Sequence, residues 1–466
     1  MRIFEIITIL SVLVITIERM IRRSHPHPIW EYGIVIPVIL QIVLEGVRWQ
    51  TFGVYVIVIC ILFCHVIADF RKPKKALAIK KWPYIIGISI TLLSLLLLFL
   101  FPVKDIRKPI GPYNVGTITY DLTDDSRIEL YGERKGDARK IRIQLWYPTN
   151  DDITGGIAPW LEDGRIVPRE LVKEYTVPSF VFDHLTLIDS NSHIDAPLGN
   201  DISMMPVVII SHGWTGFRNL HTDLGELFAS MGYLAISIDH TYGSIGLVFD
   251  NGETATADPE ALPDRDKTDS FLTYAGILVD TYSKDAGYVI DHLTYLNNQS
   301  DIFTGHIDLD LIGVIGHSTG GGGVVKQAMG NTMIDAVIGL DPWVEPIGEE
   351  MLAEGLHQPA MFFRSTSWVG GINEDYIKIL VGNESTEISS YEIAGSLHSD
   401  FSMLYQMGPL PGLLGISGDL NGYKSADIQQ AFIANFMNHY LLGEDDKTSS
   451  LMNDYESVSE VKYDGK

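Results

Sequence analysis

Two hydropathy regimes divide the chain. Within the first hundred or so residues, four apolar runs, at roughly 3–17, 33–47, 51–68 and 83–103, are separated by short cationic connections. A helix needs about 20 apolar residues to cross the hydrocarbon core of a bilayer. The fourth run, "IIGISITLLSLLLLFLFPV", carries no charge, the third is nearly as apolar, the first contains Glu5, and the second is short and contains Glu45. The pattern predicts an all-α transmembrane region of about four helices over residues 1–108. No small-residue cleavage site follows the first run, and three further runs do, which argues against a secretory signal.

From about residue 140 the period changes. Short β-branched runs at 141–148, 206–213, 233–240, 309–318, 335–341, 359–365 and 388–395 alternate with amphipathic stretches near 219–231, 269–297, 320–330 and 425–442. Several runs are apolar almost throughout, as strands covered on both faces are. The alternation predicts a single α/β domain over residues 109–466, its mostly parallel sheet flanked by helices on both faces. The stretch 241–268, rich in Gly, Pro and Asp, interrupts the alternation. It reads either as a surface loop or as a cap over the carboxyl edge of the sheet, where ligands of open α/β sheets gather.

Charge sharpens the division. Residues 1–108 carry 14 Lys/Arg against 6 Asp/Glu, a balance of +8, and the remainder carries 20 against 53, a balance of −33. Lys and Arg are retained on the cytoplasmic side. Arg19, Arg22 and Arg23 in the first connection, and Arg71, Lys72, Lys74, Lys75, Lys80 and Lys81 in the third, therefore place the N-terminus and the acidic part outside. Lys104, Arg107 and Lys108 after the fourth run pull the other way. A balance of −33 repels polyanions, so nucleic acid is not an expected partner. Both cysteines, Cys60 and Cys64, lie in the third apolar run.

The candidate chemistry lies in "LIGVIGHSTGGGGVVKQAMG", residues 311–330, where a strand ends at a serine and a helix begins. In a nucleophile elbow this turn is so tight that the positions two before and two after the serine must be small. Gly316 and Gly320 fill those positions around Ser318. A serine hydroxyl needs a base, and the base needs an orienting acid. Of the histidines downstream, His439 sits inside the last amphipathic stretch and His357 precedes a strand. His398 follows the last strand, on the carboxyl edge, and is the expected base. Asp341 ends the strand "AVIGLD" and Asp375 follows the next strand, so position alone leaves both open as the acid. The oxyanion donors would be the backbone N–H groups of Thr319, after the nucleophile, and of Trp214 in "IISHGWTGFR". His212 and His240 read as histidines that shape and anchor their loops.

With these residues in place, the acidic part resembles the platelet-activating factor acetylhydrolase family, serine esterases of the plasma and type II branch on an α/β-hydrolase fold. The resemblance runs from about Gly111 to Gly443 and rests on "VVIISHGWTGFRNLHTDLGELFASMGYLAISIDH", "GHSTGGGG", "IGLDPWVEPIGEE", "QPAMFFRS" and "IAGSLHSDFS". It implies Ser318 as nucleophile, Asp341 rather than Asp375 as acid, His398 as base and Trp214 as second oxyanion donor. It implies no metal or organic cofactor, and an ester or phospholipid substrate. The chain departs from the mammalian pattern at Trp214-Thr215, in the Thr and four glycines after the serine, and in its N-terminal apolar runs. "GHSTGGGG" is also similar to cutinases and polyester hydrolases, which leaves a polyester fragment or a xenobiotic ester as the alternative substrate. The cysteine nucleophile of dienelactone hydrolases is absent. A non-catalytic alternative is a membrane sensor that uses the hydrolase fold as a ligand-binding ectodomain.

Overall fold

The computed structural model describes residues 2–22, 28–71, 80–150, 155–175, 177–382 and 387–463. All seven strands expected from the apolar runs are present: β2 (Ala138–Thr149), β5 (Met205–Ser211), β6 (Leu234–Asp239), β9 (Ile307–His317), β10 (Ala336–Leu340), β11 (Ala360–Ser365) and β12 (Ile388–Ile393). β1 (Asn114–Ile128), β3 (Ile157–Pro159), β4 (Asp189–Ile194) and β13 (Val458–Glu460) extend them into one sheet, of order β13-β12-β11-β10-β9-β5-β6-β2-β1-β4-β3. From β6 to β12 every neighbouring pair is parallel. β2 joins β6, and β1 joins β2, antiparallel. Every residue of β5, β6, β10 and β11 is buried, as a strand covered on both faces requires. Helices α7 (Thr222–Ser230), α8 (Phe271–Gln299) and α9 (Thr319–Gly330), with the helix Gly422–Leu442, supply the cover. One apolar core forms with α8 and α9 around Ile209, Ile236, Val314 and Phe362. The other forms around Trp146, Val208, Ile338, Phe363 and Phe432. Each large side chain so buried contributes about 1.5–3 kcal/mol.

The stretch 241–268 is folded. A hairpin of β7 (Gly246–Val248) and β8 (Thr254–Thr256) packs Leu247, Phe249 and Ala255 against Tyr131, Tyr242, Leu278 and Tyr282.

The N-terminal part is a helical bundle. α1 (Ile3–Arg22), α4 (Phe52–Arg71) and α5 (Trp82–Leu100) are single helices. The second apolar run is broken into α2 (Pro28–Gly33), α3 (Val35–Leu40) and a π-helical turn, Gln41–Glu45. Two helices, Trp49–Ile67 and α5, are long and apolar enough to cross a membrane. The expectation of four such helices is met only that far: α1 carries Glu5, Glu18 and Arg19, and no one helix covers the second run. Of the cationic connections, Arg23 and residues 72–79 lie outside the described residues.

The bundle buries ion pairs beside an apolar core of Ile9, Val12, Val54, Ile61 and Leu98, and its outside is apolar as well. Leu92, Leu93, Leu96, Phe99, Val56, Ile59 and Phe63 face outward. Buried within, Arg19 pairs with Glu31 at 2.6 Å, and His65 meets the same carboxylate. At the other end Arg48 pairs with Glu5 at 2.8 Å and reaches the Phe101 carbonyl, while Glu45 accepts the N–H groups of Phe4 and Glu5 at 2.8 and 2.9 Å. The start of α1, the start of α4 and the end of α5 therefore share one end of the bundle, beside the sheet-bearing part. Lys104 and Arg107 lie over the Tyr423 ring, and Arg107 pairs with Asp427 at 2.7 Å.

Removing one partner of a buried ion pair leaves the other charge uncompensated, at a cost of about 3–5 kcal/mol. Arg48→Ala should lower the melting temperature of the purified full chain accordingly. Glu5→Leu/Arg48→Leu, which removes both charges, should recover much of that loss.

Candidate active site

Ser318 stands between β9 and α9 with φ 55° and ψ −119°, outside the regions open to an L-residue without strain. The turn closes because its flanks lack side chains. A Cβ on Gly316 would lie 2.4 Å from the Gly320 carbonyl oxygen, and one on Gly320 would lie 2.4 Å from the carbonyl oxygens of both Ser211 and His212. The run of glycines continues for the same reason, since a Cβ on Gly322 would sit 2.1 Å from the Trp343 carbonyl. Backbone bonds lock the turn to the strand beside it: Ser318 N–H donates to Leu340 at 3.0 Å, and Trp343 N–H donates to Ser318 at 2.9 Å. Ser318 is half-buried within an otherwise buried run.

Asp341 leaves the end of β10 with φ 43° and is fully buried. Its Oδ1 accepts the Ser365 N–H at 2.8 Å, and its Oδ2 accepts the Ser365 hydroxyl at 2.5 Å and His398 Nδ1 at 3.0 Å. The buried Arg364 guanidinium lies 3.7 Å from the same carboxylate and is held by Glu374 at 2.9 Å. His398 opens a short 3-10 turn after β12, with its side chain 29% exposed. Trp368 stacks on its ring at 4.0 Å, nearly parallel, and His317 packs against it with ring centres 4.6 Å apart. His317 Nε2 bonds the His398 carbonyl at 3.0 Å. Burial pushes His317 well below the ordinary imidazole range, so it donates there as a neutral ring.

The carboxyl end of β5 supplies the second loop. The N–H groups of Thr215 and Gly216 are spent on the carbonyls of Gly243 and Gly213, each at 2.9 Å. Among the described residues the N–H of Trp214 donates to no protein acceptor, and Thr319, first residue of α9, has no carbonyl one turn back in the helix to bond. Four of the five described non-glycine residues with positive φ, namely Thr215, Tyr242, Ser318 and Asp341, lie on this one edge. Strain of this kind clusters at functional sites.

His212 and His240 are structural, as their positions suggest. His212 bridges the Gly213 carbonyl at 2.7 Å and the Ser244 hydroxyl at 2.8 Å, and burial pushes it well down, so it stays neutral. His240 donates Nδ1–H to Asp285 at 2.9 Å, meets the Ser211 hydroxyl at 2.8 Å and stacks on Tyr282. Asp375 is exposed and paired with Lys378, and His357 is exposed; neither joins the site. His439 bonds the nearby Glu444 carbonyl at 2.6 Å. Sequence reasoning missed Ser365, Arg364 and Trp368. The first two end a strand at the carboxyl edge, a position shared with Asp341, and that was the available signal.

Beside Trp214 a cleft of about 480 Å³ opens. Thr215, Ile245 and Leu262 line it, with Glu170, Lys173 and Lys267 at its rim. The 241–268 stretch contributes most of its wall.

The model of the family "Platelet-activating factor acetylhydrolase, isoform II" matches residues 99–267 and 284–457, and that of the "Dienelactone hydrolase family" matches residues 194–367. A platelet-activating factor acetylhydrolase from Cavia porcellus is 23% identical over 380 residues, covering 75% of this chain and 80% of the relative. One from Canis lupus familiaris is 24% identical over 371 residues, covering 74% and 80%. A solved ferulic acid esterase from Streptomyces cinnamoneus superposes with a TM-score of 0.62 at 22% identity, covering 78% of this chain and all of that one. The architecture is that of an α/β hydrolase.

Overpacking against rigid backbone costs about 1–3 kcal/mol and at times more. Gly320→Ala, which would press a methyl onto two carbonyl oxygens, should lower the melting temperature, whereas Gly330→Ala, in open space at the far end of α9, should leave it unchanged.

Proposed function

The chain belongs to the platelet-activating factor acetylhydrolase isoform II family and is an ester hydrolase; from that premise we propose that Ser318, His398 and Asp341 are its catalytic triad. The observation that carries the reading is the 3.0 Å bond from His398 Nδ1 to a buried Asp341, on the strand edge where the Ser318 elbow opens. An Nδ1–H given to Asp341 leaves Nε2 with a lone pair, the form a general base needs. His398 takes the hydroxyl proton as Ser318 attacks the ester carbonyl. The N–H groups of Trp214 and Thr319 stabilise the oxyanion. His398 then protonates the leaving alkoxide, and water releases the acyl group from Ser318 by the reverse relay.

The substrate is a short-chain acyl ester or a phospholipid bearing one. The cleft beside Trp214 supports it, since Trp214, Ile245, Leu262 and Pro263 give it apolar walls next to the proposed oxyanion donor. A compact xenobiotic or polyester-derived ester is the second reading, favoured by the bulk of Trp214 where the mammalian pattern is smaller.

Residues 1–108 form the membrane region and 109–466 the catalytic domain, which works on the outer face. Two features support this arrangement: the ion pairs buried in a bundle whose outside is apolar, and the meeting of α1's start, α4's start and α5's end beside the catalytic part. The alternation of helix directions suits four passes, with the broken second run as one of them. Lys104 and Arg107, whose charge opposes this orientation, are occupied by Tyr423 and Asp427 of the catalytic part.

Ser318→Ala should abolish hydrolysis of short p-nitrophenyl esters by the purified chain, with the melting temperature retained. Equal rates from both proteins would instead support the ligand-binding ectodomain. Asp341→Asn should lower kcat by about 10⁴. Because burial already keeps His317 uncharged, its protonation makes no contribution to the acid limb of the pH–rate profile. His317→Asn should leave that limb where it is, which a titration of kcat/KM checks.

A further inference from the structure

Two rings pack on the imidazole of His398. Trp368 lies parallel to it, with 4° between the planes and 4.0 Å between the ring centres. His317 is tilted by 37° at 4.6 Å, and burial keeps it uncharged, so it adds no competing cation. The charge that His398 meets directly is the Asp341 carboxylate, at Nδ1.

Trp368 is held by the same two residues that hold Asp341. β11 ends at Ser365, and the chain turns so that the Trp368 N–H donates to the Ser365 carbonyl at 3.0 Å. Arg364 donates to the Trp368 carbonyl at 3.2 Å. The Ser365 N–H and hydroxyl both donate to Asp341, and Arg364 lies 3.7 Å from it. The indole itself packs against the buried cluster of Ala275, Val279 and Trp343. One turn therefore sets a carboxylate and an indole face against one imidazole.

The face of an indole is the negative part of its quadrupole and attracts a cation placed over it. The imidazole of a general base is neutral before each proton transfer and an imidazolium after it. A contact that strengthens as this charge develops lowers the barrier, whereas one of constant strength does not. We propose that Trp368 is a positioning residue for the hydrolysis, acting through His398: its ring face stabilises the imidazolium in both halves of the reaction. The inference rests on reading Ser318, His398 and Asp341 as the triad. In the first half His398 receives the Ser318 proton and passes it to the leaving alkoxide. In the second it receives a proton from water and returns it to Ser318. Trp368 exchanges no proton in either half, and its effect is electrostatic.

The test replaces Trp368 alone, by nonsense suppression in the full chain in detergent, with mono-, di-, tri- and tetrafluorinated tryptophan. Fluorine withdraws charge from the ring face while keeping its shape. The logarithm of kcat should fall in step with the number of fluorines, by about tenfold across the series, the worth of a half-buried cation–π contact. Pre-steady-state bursts with p-nitrophenyl esters should show acylation and deacylation slowing together, with KM and melting temperature unchanged. Trp368→Leu should lose about tenfold in kcat, and Trp368→Phe, which keeps a ring face, should recover part of that loss. If Trp368→Leu fails to fold, the fluorinated series alone decides. A flat series overturns the proposal, and so does a fall confined to one half-reaction or a change in KM alone, which would place the indole against the substrate instead. His398→Ala, measured beside the series, separates the two readings. Full activity in that variant overturns the triad itself, whereas a flat series with His398→Ala inactive overturns only the role of Trp368.

Discussion

Ser318 occupies a backbone conformation that costs on the order of 1–3 kcal/mol, and the carboxyl edge of the sheet is built so that relaxing it costs more. Turning its φ negative would break the Ser318–Leu340 and Trp343–Ser318 bonds, which tie the elbow to β10 and to the loop carrying Asp341. The closeness of those elements comes from the absence of side chains on Gly316, Gly320 and Gly322, each of which lets a carbonyl oxygen stand where a Cβ would be. The four successive glycines are poor helix formers, yet they open α9. They are tolerated because the helix lies buried between β5, α8 and the Trp343 turn, where packing outweighs propensity.

Behind three loops at this edge stand buried guanidiniums. Arg364 faces Asp341 and Glu374. Arg218 joins Asp239 and Asp163 beneath the Trp214 loop, and Arg139 joins Asp285 and Glu129 beside His240. Burial alone would push the Asp285 carboxyl up, but Arg139 and His240 outweigh it and hold the group far below the usual carboxylate range. That fixes His240 as the donor to Asp285, leaves its Nε2 to accept from the Ser211 hydroxyl, and so orients the oxygen that packs on Gly320. Such pairs add little net stability over apolar packing, but losing one member is costly. Their effect is to make each loop's position all-or-none. The oxyanion pocket proposed for Trp214 and Thr319 needs that property, because such donors must already point at charge that appears only in the transition state.

The strands of the catalytic domain were legible because parallel strands buried on both faces carry unbroken apolar runs. β1 was not: "NVGTITYDLTDDSRI" has three aspartates, and its place in the sheet comes from a long antiparallel pairing with β2 that leaves several residues half-exposed. β3 and β13, three residues each, are too short to show a period. Ser318, Asp341 and His398 could be singled out because each follows or ends a strand at the same edge, although position left Asp375 open beside Asp341 until the family resemblance chose between them. Ser365, Arg364 and Trp368 act on those residues from the side, through contacts between strands distant in sequence, and no local spacing announces them. In the bundle, hydropathy led to an expectation of four spanning helices where two are long and apolar enough, and it could not show that Glu5, Glu31, Glu45, Arg19 and Arg48 turn inward to partners on other segments.

That inward pairing also couples the two parts of the chain. Arg48, between the broken second run and α4, bonds Glu5 of α1 and the carbonyl of Phe101 just beyond α5. Phe101 in turn packs against Phe182 and His184, and Trp49 reaches Val181. Next to Phe101, the Pro102 ring packs on Gly408, in the segment following His398, where a Cβ would stand 2.4 Å from it. The end of α5 and the residues just beyond it therefore meet the sheet-bearing part both under residues 180–184 and on the chain that continues from His398. Under the membrane arrangement proposed above, these contacts, rather than electrostatic attraction, set the face that a part carrying a balance of −33 turns toward anionic lipid.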